Sequence, residues 1–192
     1  MKTMFDAFEE HYIKKVGDVK GDDPCLEFIE INIPMNIGFW GNMGIVDIET
    51  TGIVPGKNKI VTLGSIHHEY LTVIQRANCT KERFEEVLKD YLEMLYRVDV
   101  YDLYAYNCSF ERNFLTAKQE WKEIMPYRLK KDECVSFAHF GFGEGKDVPA
   151  WWHKFENTHD LQFLHDIMKH NMNCLLKELA IFSVNYSNCV ED

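Results

Sequence analysis

The spacing of apolar residues along the chain alternates between two periods, and it predicts an α/β domain. Helical spacing marks residues 4–16, the segment after Thr80, and two helices that begin near residue 161 and at Asn173. Shorter runs rich in β-branched and aromatic residues predict strands at residues 25–33, 44–49, 59–66, 70–75 and 100–106. The three central runs follow one another directly, so we expect three antiparallel strands at the start of a mixed sheet.

Several local expectations depend on single residues. Thr80 is expected to cap the helix that follows it. Ser109 is expected to cap another helix, which continues through residues 116–125 and ends at Pro126. His67 and His68 stand at a hairpin turn, and a solvated pair is expected there because neighbouring residues on a strand face opposite ways.

The segment with the clearest chemical content is residues 44–52. Along a strand, Asp47 and Glu49 project from one face, while Val46 and Ile48 project from the opposite, apolar face. Two neighbouring carboxylates repel each other when both are ionised, unless protons or a cation neutralise them. Carboxylate oxygens suit Mg²⁺ or Mn²⁺. The segment therefore predicts a metal site at a strand end, and a strand whose acids simply face water is the alternative.

The run Ile45-Val46-Asp47-Ile48-Glu49-Thr50-Thr51-Gly52 resembles the first motif of the DnaQ-like DEDD exonucleases, a branch of the ribonuclease H-like superfamily. The resemblance implies a three-layer α/β fold with a mixed five-stranded sheet flanked by helices. It also implies that Asp47 and Glu49 hold two divalent metal ions, Mg²⁺ or Mn²⁺. The turn Thr50-Thr51-Gly52 would lie against the terminal nucleotide.

Residues 106–115 form the second informative segment and are expected to fold as strand, turn and helix. Glu111 would stand in the first helical turn, where the positive end of the helix favours a carboxylate. An ordinary first-turn glutamate is the alternative to a ligand. The segment resembles the second motif of the same family, with Glu111 in place of the usual aspartate. The resemblance implies that Glu111 is a third metal ligand and that Asn107 and Phe110 contact nucleic acid.

The C-terminal segment matches the family less closely. In the family, a final helix carries a fourth acid, and a His or Tyr that precedes it activates the attacking water. Asp192 falls near the place of that acid, with Ser187 five positions before it and Tyr186 one step earlier. A frayed terminal aspartate is the alternative. The resemblance thus implies a catalytic and metal-binding set, which consists of Asp47, Glu49, Glu111 and Asp192.

Composition limits the expected cellular location and the expected roles of the cysteines and histidines. The chain has 192 residues, 46% of them apolar, which is enough to bury a real core. No apolar run reaches membrane-spanning length and residues 1–20 are too charged for a secretory signal, so we expect no membrane association and a cytoplasmic location. The six cysteines form no Cys-x-x-Cys pair, so reduced thiols are expected. His159, His165 and His170 are not spaced for one helical face as a set, which does not favour zinc.

The formal charge of −10 limits how nucleic acid could be bound. Proteins that hold duplexes through many phosphate contacts usually carry a basic face. Carboxylates that await metal ions count as negative until the ions bind. The charge therefore argues against tight duplex binding, and it leaves open a nuclease that holds a few terminal nucleotides.

The acidic residues predict a metal-dependent hydrolase, and the resemblance implies that it removes nucleotides from the 3′ end of single-stranded DNA or RNA. Residues 43–192 would form the exonuclease-like domain, and residues 1–42 an N-terminal extension packed on it. Two other functions stay open, namely a catalytically inactive interaction module on the same scaffold and a phosphodiesterase of small molecules. The acidic surface and the extension leave room for a protein partner that delivers substrate.

Overall fold

A mixed sheet of six strands forms the centre of the computed structural model, which describes residues 3–35, 41–124 and 145–189, the last six by their backbone alone. Its strands are β1 (Phe28–Pro34), β2 (Met43–Thr50), β3 (Ile60–His67), β4 (Tyr70–Arg76), β5 (Asp102–Ala105) and β6 (Glu120–Glu123). Their order across the sheet is β1-β4-β3-β2-β5-β6. The expected antiparallel arrangement of β2, β3 and β4 is confirmed, and β5 and β6 continue the sheet parallel to β2.

Five helices accompany the sheet within these ranges, namely α1 (Met4–Val16), α2 (Lys81–Arg97), α3 (Cys108–Phe114), α4 (Val148–Thr158) and α5 (Leu161–Cys189). The Thr80 cap is confirmed, because its hydroxyl accepts a hydrogen bond from the Arg83 amide at 3.1 Å. No helix in the described ranges combines the length and the apolar character needed to cross a membrane.

The alternation of side chains along β2 separates two apolar cores. Ile45 packs on one face of the sheet with residues of α1, α4 and α5, among them Phe155 and Leu175. Val46 packs on the opposite face with residues of α2, among them Leu88. The α/β class is therefore confirmed, with helices on both faces of the sheet.

The five-stranded sheet that the resemblance implies is corrected to six strands, because the strand predicted in the N-terminal segment pairs into the same sheet. β1 pairs antiparallel with β4, from Phe28 opposite Arg76 to Pro34 opposite Tyr70. Without β1, the backbone groups along this side of β4 would form an exposed edge. The boundary between an extension at residues 1–42 and a domain at residues 43–192 stays a prediction.

The predicted helix through residues 116–125 is wrong. α3 ends at Phe114, and residues Glu120–Glu123 form β6, which pairs parallel with β5. Lys122 Nζ lies 2.9 Å from Asp102 Oδ2 on the neighbouring strand. The backbone of these residues forms hydrogen bonds with the edge of β5. Such pairing between distant segments overrides the local preference for a helix. Pro126 lies outside the described residues.

Three smaller predictions are also corrected. Asn173 does not start a helix, because α5 runs without a break through residues that include no glycine or proline. Ser109 does not cap α3, which begins one residue earlier, and its hydroxyl donates to Asn107 Oδ1 instead. His67 is not solvated but 7% exposed, because it ends β3 and packs against the Tyr91 ring.

Candidate metal centre on strand β2 and helix α5

Asp47 and Glu49 are buried on the face of β2 that α5 covers. Each is 7% exposed, and each has an α5 side chain as a polar neighbour. Their backbone partners on β3 are Gly64 and Thr62. The predicted common face of the two acids is thus confirmed. Burial of two carboxylates has a large desolvation cost, which interactions with polar neighbours must offset.

Asn171 of α5 donates hydrogen bonds to Asp47. Its Nδ2 donates to Asp47 Oδ2 at 2.8 Å and to the Asp47 carbonyl oxygen at 3.2 Å. This close approach depends on Gly64, since a Cβ there would lie 2.0 Å from Asn171 Oδ1 and 2.5 Å from Leu175 Cδ1. A glycine opposite Asp47 therefore lets α5 lie directly on the sheet.

Glu49 lies beside a histidine and a cysteine of α5. His170 Nε2 is 3.5 Å from Glu49 Oε1, and Cys174 Sγ is 3.7 Å from the same nitrogen. One potential ligand atom from each of the three residues lies within 4.8 Å of the other two. His170 and Glu49 are buried, and Cys174 is half-buried. Oxygen, nitrogen and sulfur donors thus converge at one point on the protein.

Sequence reasoning missed this cluster. His170 and Cys174 are four residues apart, which places two side chains on one face of a helix. The predicted helix start at Asn173 separated them, and the histidines were compared only with one another. His159 ends α4 as its C-cap, and His165 bonds to Glu9 of α1. The spacing of His170 and Cys174 was therefore the available signal.

Glu111 is 4% exposed in the first turn of α3. α3 follows β5, and β5 runs parallel to β2, so its carboxyl end lies at the same edge of the sheet as the end of β2. Among the described residues, the cluster whose ligand atoms lie within 4.8 Å includes Glu49 but neither Glu111 nor Asp47. The role of Glu111 as a third ligand stays a prediction. Asp192 lies outside the described residues, so its role as the fourth acid stays a prediction too.

The hydroxyls of the Thr50-Thr51-Gly52 turn shape the loop after β2. Thr50 Oγ1 donates to the Gly52 carbonyl oxygen at 2.7 Å, and Thr51 Oγ1 accepts from the Lys59 amide at 2.9 Å. A Cβ at Gly52 would lie 2.6 Å from Asn58 Nδ2, so this glycine admits a close approach. The loop is fixed at its base, and its contact with a nucleotide stays a prediction.

The other two predicted nucleic-acid contacts lie at the start of α3. Asn107 is exposed at the position before the helix, where its side chain makes no capping hydrogen bond. Phe110 is half-buried and its ring centroid lies 5.0 Å from that of Phe114. One side of Phe110 therefore packs on its own helix, and its contact with nucleic acid stays a prediction.

The thiol nearest to Glu111 in the sequence is kept protonated. Burial, with the Glu123 carboxylate, raises the pKa of Cys108 to about 11. A thiolate is the form that attacks substrates and binds metals. Cys108 is therefore an unsuitable nucleophile at neutral pH.

Comparisons with known proteins found no family model, no curated protein and no solved structure that matches this chain. The likeness to DnaQ-like exonucleases thus depends on the motifs at residues 45–52 and 106–115.

Proposed function

We propose that the protein is a metal-dependent hydrolase of phosphodiester bonds that acts as a 3′-5′ exonuclease on single-stranded nucleic acid. The observation that supports this most is the burial of Asp47 and Glu49 on one face of one strand. Buried carboxylates are expensive unless they are paired or bind metal ions, and they occur preferentially at functional sites.

The donor set fits hard divalent ions. Asp47 and Glu49 offer carboxylate oxygens, which Mg²⁺ and Mn²⁺ prefer, and Glu111 and Asp192 would add further oxygens of the same kind. Ions held by Asp47, Glu49 and Glu111 would supply an activated water and stabilise the leaving oxygen.

Residues outside the acid pair would position the substrate. The loop at residues 50–52 follows directly after the carboxylates, so a terminal nucleotide held there would have its phosphate close to Asp47. The formal charge of −10 favours contact with a few nucleotides over contact with a long duplex. Both DNA and RNA fit this description.

The arrangement of the sheet is compatible with the ribonuclease H-like fold that we propose for the chain. After β1, the three antiparallel strands β2 to β4 are followed along the chain by two parallel strands, β5 and β6. β1 would be an addition to the five-stranded sheet of that fold. A cytoplasmic location is part of the same proposal. Among the described residues, Cys25, Cys79, Cys108 and Cys174 are not joined in disulfide bonds.

The test is the shortening of single-stranded oligonucleotides labelled at the 5′ end, with DNA and RNA in parallel. We expect a ladder of products shortened from the 3′ end with Mn²⁺ or Mg²⁺, and none with a chelator. Asp47→Asn should abolish shortening, while Glu82→Gln, which changes an exposed acid of α2, should retain it. Shortening by Asp47→Asn at the wild-type rate would contradict the proposal.

One observation favours the alternative of an inactive interaction module. Asp47 already accepts a hydrogen bond from Asn171, and Glu49 lies beside His170, so both acids have partners within the protein. A module of this kind would leave the oligonucleotide intact at every Mn²⁺ concentration. The same assay therefore separates the two functions.

A further inference from the structure

We propose that Glu49, His170 and Cys174 form a binding site for a borderline transition-metal ion, Zn²⁺. This site goes beyond the proposed nuclease chemistry, because it uses two residues of α5 that the four-acid set does not include. Glu49 belongs to both sets, so Zn²⁺ would compete with Mg²⁺ or Mn²⁺ for the Glu49 carboxylate.

The donor separations fit tetrahedral coordination. Zn²⁺ binds nitrogen at about 2.0–2.1 Å, oxygen at about 2.0–2.2 Å and sulfur at about 2.3 Å, so neighbouring donors on a tetrahedron stand about 3.4–3.6 Å apart. The separation of His170 Nε2 and Glu49 Oε1 is 3.5 Å, and that of His170 Nε2 and Cys174 Sγ is 3.7 Å. The third pair, the Glu49 carboxylate and Cys174 Sγ, lies within 4.8 Å, so one ion between all three requires this pair to close by up to about 1.2 Å.

The same separation is long for a direct hydrogen bond. An N–H···O bond is typically about 2.7–3.2 Å long, and a charge-assisted bond to a carboxylate is shorter still. In this protein, His165 Nε2 lies 2.8 Å from Glu9 Oε2, which shows the closed geometry of such a pair. The pair of His170 and Glu49 is 0.7 Å wider, as expected for two ligands that share an ion.

The donor types select the metal. A thiolate and an imidazole suit Zn²⁺, whereas Mg²⁺ prefers an all-oxygen shell with several waters. Three protein ligands leave the fourth tetrahedral position for water or a substrate oxygen, as in catalytic rather than structural zinc sites. We therefore expect selectivity for Zn²⁺ over Mg²⁺.

The three ligands are held on rigid elements. Glu49 lies on a central strand of the sheet, and α5 is fixed to the same strand by the bonds from Asn171 to Asp47. The Trp151 ring packs edge-on to the His170 ring, with centroids 6.4 Å apart. A site built on a strand and a helix in this way needs little reorganisation on binding.

The test uses Co²⁺, which replaces Zn²⁺ and reports thiolate ligation through a sulfur-to-metal charge-transfer band in the near ultraviolet. The full chain is reduced, freed of metal and titrated with Co²⁺. We expect a band that saturates at a single equivalent and disappears when Zn²⁺ is added. Mg²⁺ at a large excess should leave the band in place.

Matched variants locate the site. Cys174→Ser should lose the band, and Cys25→Ser, which changes an exposed free thiol, should keep it. His170→Gln should weaken Co²⁺ binding by more than about tenfold, since even the groups that merely orient a metal ligand contribute about 10–100-fold. Absence of the band from the wild-type protein, or its full retention in Cys174→Ser, would overturn the proposal.

Circular dichroism shows whether each variant is folded. If Cys174→Ser does not fold, His170→Gln decides, and wild-type Co²⁺ affinity in that variant overturns the proposal. None of these measurements involves an oligonucleotide. A band without nuclease activity would therefore refute only the proposed function, and nuclease activity without a band would refute only the zinc site.

Discussion

The side-chain amide of Asn171 donates to the carboxylate of Asp47 at 2.8 Å, although the two residues are 124 positions apart in the chain. This bond joins the strand that carries both motif acids to the helix that carries His170 and Cys174. The position of α5 on the sheet and the chemistry of Asp47 thus depend on each other.

Asn171→Asp should make the stability of the fold depend on a divalent metal ion. The substitution removes the donor to Asp47 and puts a second carboxylate against it, which should lower the free energy of unfolding by about 1–3 kcal/mol in a chelator. Mn²⁺ should restore more stability to this variant than to the wild type, as thermal melts with and without Mn²⁺ would show. Asn157→Asp, on the exposed side of α4, is the control. Equal Mn²⁺ responses in Asn171→Asp and wild type would contradict this view of the site.

Gly64→Ala should displace α5 from the sheet. Its Cβ would overlap Asn171 Oδ1 and Leu175 Cδ1, so a loss of about 1–3 kcal/mol is expected from overpacking. Gly44→Ala on β2 is the matched control, because its Cβ would approach the Val100 side chain no closer than 3.1 Å. Urea unfolding would compare them, and a loss no larger for Gly64→Ala than for Gly44→Ala would refute the close-approach argument.

His67 should make the fold less stable in mild acid. Burial, with the neighbouring charge of His68, lowers the pKa of His67 from 6.5 to about 4. Above pH 6.5 the ring is neutral in both states and contributes no pH dependence. Between pH 6.5 and about 4, the unfolded chain binds a proton that the folded chain does not, so the free energy of unfolding falls by up to about 1.4 kcal/mol per pH unit.

His67→Gln should therefore flatten this part of the stability profile. Urea unfolding at about pH 7 and at about pH 5 measures the difference. His153→Gln replaces an exposed histidine of α4 and should keep the wild-type slope. The same slope in His67→Gln as in wild type would show that other groups cause the pH dependence.

Phe8→Ala should show that the N-terminal helix is part of the main core. Phe8 is fully buried against the sheet face that α5 also covers, so its truncation should cost about 3–5 kcal/mol. Ile13 lies on the same helix at 65% exposure, and Ile13→Ala should cost no more than about 0.5 kcal/mol. Denaturant midpoints compare the two. Similar small losses in both variants would mean that α1 is only loosely attached.

Periodicity in the sequence was sufficient for most of the elements. The limits of α1, the cap of α2 at Thr80 and the order of β2, β3 and β4 are set by spacing and turn chemistry within a few residues. Periodicity failed where contacts between distant segments decided between a helix and a strand of similar local preference. Residues Glu120–Glu123 could continue a helix, but pairing with β5 makes them a strand.

The sequence by itself determined that Asp47 and Glu49 share one face of a strand, because the alternation of side chains is a property of the extended backbone. Only the tertiary structure decided that His170, Asn171 and Cys174 lie against them. That contact requires a long, unbroken helix to pack on a distant strand, and the packing depends on the space that Gly64 leaves opposite Asp47. Contacts of this kind arise from the fit of whole surfaces, which no local pattern of residues encodes.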